Sequence, residues 1–93
     1  MNIGKLGQTF IKRGLSAALE ESEQLRQDVF AAYNNFKQCK WGISSEEDIK
    51  RNDNAVMNPE SGGILARYPT SEGDIILKMP QDRSYLMIMF CDE

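Results

Sequence analysis

Carboxylates are the groups of this sequence best placed to do chemistry, and they gather in two runs. Glu46-Glu47-Asp48 is followed by Asp53, and Asp82 opens the triplet Asp82-Arg83-Ser84. A pair of acids can perform acid-base or glycosidic work when burial keeps one protonated and the other stays ionised. In this chain, however, Glu46, Glu47 and Asp48 fall where a polar helix should begin, and negative charge there favours the helix dipole without any catalytic role. Asp82-Arg83-Ser84 lies in a loop leading into a strand, a place where polar side chains can converge on a site. The simpler reading has Asp82 closing the turn through its side-chain oxygen and Arg83 paired with a carboxylate. Asp74 and Lys78 suggest the acid-plus-lysine arrangement of metal-dependent nucleases. That arrangement needs the lysine two residues after a second carboxylate, and position 76 is isoleucine.

The remaining catalytic vocabulary is sparse. There is no histidine, which excludes Ser-His and Cys-His nucleophile pairs and imidazole metal ligands. Cys39 and Cys91 stand 52 positions apart, without the close spacing of a zinc or redox motif, and read as free, partly buried thiols. The glycines form no phosphate-cradling pattern. The expectation is a non-enzymatic protein with no metal and no cofactor.

With 93 residues, 41% of them hydrophobic and 27% charged, the chain has the size of one small α+β domain spanning residues 1–93. Its net charge of -3 has the wrong sign for direct nucleic-acid binding. Residues 1–40 hold six basic and four acidic side chains, net +2, whereas residues 41–93 hold five and ten, net -5. The second half would therefore offer the anionic surface, to a basic partner or simply to water. No apolar run is long enough to cross a bilayer, and residues near Met1 lack the pattern of an export signal, so the sequence reads as cytoplasmic with no membrane partner.

Period and punctuation give the elements. Gly7 to Gly14 encloses a short strand, and Leu15 to Glu21 is brief enough to form a single helical turn. From an N-cap at Ser22, Leu25, Val29, Ala32, Tyr33 and Phe36 recur at helical spacing, predicting a helix from Glu23 to about Gln38. Ser44 and Glu47 predict a capping box for a second, mostly polar helix that ends at Asn58-Pro59 and Gly62-Gly63. Strand periodicity then marks Ile64–Tyr68, Ile75–Met79 and Tyr85–Phe90 as an antiparallel meander. Two main helices on a three- or four-stranded antiparallel sheet follow.

Two apolar features lie outside this scheme. Trp41 reads either as an anchor for a partner or as a plug between two helices. In the last strand Leu86, Ile88 and Phe90 point one way and Tyr85, Met87 and Met89 the other. Such a strand is either covered on both sides or shows one face to a partner.

In order along the chain, Gly7-Gln8, Trp41-Gly42, Ser45-Glu46-Glu47-Asp48, Asn52, Ala55, Ala66-Arg67-Tyr68, Asp82-Arg83-Ser84 and the acidic end Asp92-Glu93 resemble a family of small plasmid-related proteins. That family is found on bacterial plasmids, integrative conjugative elements and phages. Its members typically end in Glu-Tyr after a threonine-rich last strand, whereas this chain has Met87, Ile88 and Met89 there and stops at Glu93. The resemblance implies a mobile-element context, in which small acidic proteins protect the element by blocking restriction or CRISPR nucleases, and it carries over no catalytic residue. The expected function is a protein-binding accessory role, with a host defence nuclease as partner. Its expected contacts are Glu46, Glu47, Asp48, Asp53, Asp82, Tyr85, Met87 and Met89. A homodimer formed by the last strand pairing with itself and a small carboxylate-dependent enzyme are the alternatives.

Overall fold

The computed structural model describes residues 3–4 and 6–93. Over these residues the chain runs through β1 (Gln8–Ile11), α1 (Arg13–Glu21), α2 (Glu23–Lys37), α3 (Glu46–Met57), a 3-10 turn at Pro59–Ser61, β2 (Ile64–Tyr68), β3 (Ile75–Met79) and β4 (Tyr85–Phe90). The class is α+β, as the sequence predicts.

The segment expected to be a single turn is a nine-residue helix, α1. Its length is too short to be stable alone, but Leu15 is fully buried and Ala18 and Leu19 pack on the core, so tertiary contact supplies what local propensity lacks. Ser22, in extended conformation, ends α1 and starts α2, its Oγ accepting from Leu25 N at 3.1 Å. Helix α2 buries Leu25, Val29, Ala32 and Phe36, the stripe its periodicity predicts. The start of α3 differs from expectation by one residue. Ser45, not Ser44, is the N-cap and accepts from Asp48 N at 3.1 Å. Ser44 is turned toward β2, donating to Trp41 O at 2.6 Å and accepting from Arg67 N at 3.1 Å, so it serves the sheet instead.

The sheet order is β1-β4-β3-β2. The β2–β3 and β3–β4 pairs are the antiparallel meander, but β1 runs parallel to β4, which makes the sheet mixed and corrects the all-antiparallel expectation. The direction of β1 is tied to its exit. Lys12 N donates to Ile88 O at 2.9 Å, and the next residue already begins α1, which carries the chain back over the sheet. The last strand is consequently central, between β1 and β3.

Alternation divides the sheet into two unlike faces. Ile64, Ala66 and Tyr68 of β2, Ile75, Leu77 and Met79 of β3, and Leu86 and Ile88 of β4 are buried with the apolar stripes of the helices. Trp41 belongs to this core, edge-on to Phe36 at 5.4 Å between ring centroids, and its Nε1 donates to Asp53 Oδ1 at 2.8 Å. It therefore plugs the joint between α2 and α3, and the partner-anchor reading does not hold.

Candidate partner-binding surface

The second face carries Gln8 and Phe10 of β1, Tyr85, Met87 and Met89 of β4, Ile76 and Lys78 of β3, and Leu65 and Arg67 of β2, aligned by the register of the strands. Helices α1 and α2 lie on the opposite side, where Leu19, Val29 and Tyr33 meet Ile11 and Ile88. The second face is thus largely bare. Phe10 is 44% and Leu65 42% exposed, and Ile76, Tyr85 and Met87 are half-buried. Phe10 and Tyr85 meet edge to face at 6.0 Å. Met89 is buried on this face.

Cations border this surface. Arg67 donates from Nε to Asp74 Oδ2 at 2.9 Å, and its guanidinium beside that carboxylate holds a pKa above the ordinary value. Lys78 lies exposed between Leu65 and Met87 in the register. A 290 Å³ depression joins Lys78, Leu65 and Tyr85 to Arg51 on α3, and Arg51 reaches back to Asp48 at 2.9 Å.

The acidic residues expected to join this contact do not gather on it. Glu46 and Glu47 are exposed on the first turn of α3, and Asp48 is engaged with Arg51. Asp53 is occupied by the Trp41 indole, which makes it a structural acceptor. Asp82 belongs to the opposite end of α3, near Glu60, and its carboxylate accepts from Ser84 N at 3.0 Å. The Ser84 hydroxyl first, and then this backbone bond, hold its pKa below the ordinary carboxylate value. Glu46 and Ala55, whose carbonyl accepts from Arg83 next to Asp82, lie about 14 Å apart along the helix axis. Arg83, expected on a carboxylate, instead donates to the Ala55 carbonyl at 2.5 Å from a backbone with φ of 57°. Cys39 and Cys91 are free and half-buried, and burial pushes the Cys39 thiol up.

The polar pattern of α3 puts Asn52 on its solvent-facing side, and the structure overturns that by burying it. Only 1% exposed, it grips the outer edge of β2 with both halves of its amide, donating to Leu65 O at 2.8 Å and accepting from Leu65 N at 3.1 Å. At the next outward-facing residue, Arg67 N is taken by Ser44 and Arg67 O by Ile43 N at 2.9 Å. The β2 edge is therefore closed to further pairing. The residues described include no group of three or more side chains able to hold a metal ion and no helix long and apolar enough to cross a membrane. Neither a family model, nor a curated protein, nor a solved structure matches the chain.

Proposed function

We propose that this chain is a non-enzymatic protein-binding module whose contact is the bare face of the sheet, centred on Tyr85 and Met87 and reaching Phe10, Ile76 and Leu65. The observation that carries this reading is a four-stranded sheet with α1 and α2 packed on one side and large, partly exposed apolar side chains on the other. A monomeric protein seldom leaves such a face to water. Methionines and an aromatic at its centre suit a contact that adapts to an irregular partner. Lys78, exposed and outside the Arg67–Asp74 and Arg51–Asp48 pairs, fits an acidic group on the rim of a partner. This shifts the weight from anionic mimicry of DNA to apolar contact, since Glu46 and Glu47 share α3 with Lys50 and Arg51 and stand well apart from Asp82.

The resemblance to small plasmid-related proteins makes a host defence nuclease the first partner to test, in a cell where the chain acts as an accessory of a mobile element. The experiment is plasmid transformation or phage plating in a host with an active restriction or CRISPR system. Expressing the wild-type chain should protect the incoming DNA. Leu65→Lys combined with Met87→Lys should abolish protection with the helical circular dichroism unchanged, while Glu46→Lys combined with Glu47→Lys should retain it. Unaltered interference with the wild-type chain present would remove the nuclease reading, and a protecting Leu65→Lys/Met87→Lys variant would remove the proposed contact.

A further inference from the structure

The two edges of the sheet are treated differently. Along β2 the outward backbone groups of Leu65 and Arg67 are satisfied within the chain. Along β1 all four residues are exposed. Because Lys12 N bonds Ile88 O, the parallel ladder uses the amide groups of Gln8, Phe10 and Lys12, which turns those of Thr9 and Ile11 outward. Natural sheets normally blunt such an edge with charge, proline or a covering element. Among the described residues β1 has none of these. It is instead flanked by apolar groups on both faces, Phe10 on one and Ile11 with Phe30 on the other, Phe30 being 66% exposed. Between β1 and α2 lies an apolar groove of 280 Å³ lined by Ile11, Leu19, Phe30 and Tyr33.

We infer that β1 is the interface of a homodimer, pairing antiparallel with β1 of a second copy about a two-fold axis normal to the sheet. The register places Phe10 on the axis. Thr9 of each copy then exchanges both backbone hydrogen bonds with Ile11 of the other, and the two Phe10 side chains meet in the close, non-hydrogen-bonded position on the bare face. Gln8 faces Lys12 of the second copy, so no like charges are opposed along the strand.

The charges on α2 select a second copy over an unrelated strand. The same axis reverses α2, and the outward stripe of that helix is complementary to itself when reversed. Glu23, Phe30 and Lys37 are spaced by seven residues and share one side of the helix. With Phe30 against Phe30 at the axis, Glu23 of each copy faces Lys37 of the other. Among the described residues neither side chain takes part in an ion pair, and Lys37 rests over the Tyr33 ring at 5.5 Å, on the groove side of the helix. The dimer closes the exposed edge into an eight-stranded sheet and joins the two bare faces into one surface. This assembly differs from pairing of the last strand with itself, because β4 is central and has no free edge.

Sedimentation equilibrium of the full chain tests the inference, with a mass near twice 10.6 kDa expected. Thr9→Pro removes one outward N–H at an edge position that accepts proline, and should give a monomer with unchanged circular dichroism. The charge exchange is the more specific test. Glu23→Lys and Lys37→Glu alone should each weaken dimerisation by about tenfold, and the two together should restore it. Leu65→Lys, on the far edge, should leave the dimer intact, so loss of partner binding and loss of dimerisation are separable. A monomer at every concentration, a dimer indifferent to Thr9→Pro, or a double exchange that fails to restore affinity would each overturn the interface.

Discussion

At the scale of single residues, polar side chains of this protein act as structural clamps, and their removal should be felt in stability. Asn52 holds both backbone groups of Leu65 from a buried position, so Asn52→Ala leaves a buried donor and acceptor unmet and should cost about 2–4 kcal/mol in urea unfolding. Asp53→Ala removes the acceptor of the Trp41 indole and should cost about 1–2 kcal/mol. Asp53→Asn, which keeps an oxygen in place, should cost less, and the tryptophan fluorescence maximum should move only in the alanine variant. Little of this was legible in the sequence. Asn52 stands among Lys50, Arg51, Asp53 and Asn54, so nothing in its neighbourhood marks it as buried. The same polar run disguised Asp53 as a surface carboxylate. Position 82 was read more accurately, because an Asx turn is a local event and its bond to Ser84 depends only on adjacent residues.

At the scale of elements, periodicity identified α2 and the three strands of the meander, where an apolar stripe or alternation fixes which side is buried. It missed the length of α1, whose stability comes from Leu15 in the core, and the direction of β1, because alternation looks the same in either direction. Two joints between elements carry predictions. Gly42 has φ of 64° and bridges to Arg67, and a Cβ there would collide with the Arg67 carbonyl and the Tyr68 ring. Gly42→Ala should therefore cost roughly 3 kcal/mol or more, combining left-handed strain with overpacking, or prevent folding, as read by thermal unfolding. Asp28 ties α2 to the β2–β3 loop by accepting from Ser71 N at 2.8 Å, and that backbone bond, with Gln24, lowers its pKa below 3.8. A folded value below the unfolded one means stability that is present above about pH 4 and lost as pH falls through the folded value. A carboxyl titration by NMR should place Asp28 below 3.8, and Asp28→Asn should flatten the acid limb of the stability profile.

At the scale of the molecule, one sheet separates a helix-covered core from a bare apolar face, and one guarded edge contrasts with one open edge. The alternation Tyr85, Met87, Met89 against Leu86, Ile88, Phe90 raised the choice between a strand covered twice and one that faces a partner. The structure leaves Met87 and Tyr85 half-exposed on the side opposite the helices. The grouping of acidic residues was not a safe guide, because charge summed over residues 41–93 ignores where α3 and the β3–β4 turn lie in space. The methionines give a direct test of the proposed contact. Met87 and Met89 are on the bare face, Met79 is in the core, and Met57 is exposed at the end of α3. With methyl-labelled methionine, addition of a restriction or CRISPR nuclease that the transformation test identifies as the partner should broaden or shift Met87 most and leave Met57 and Met79 in place. A spectrum in which Met57 moves while Met87 and Met89 stay fixed would contradict the account.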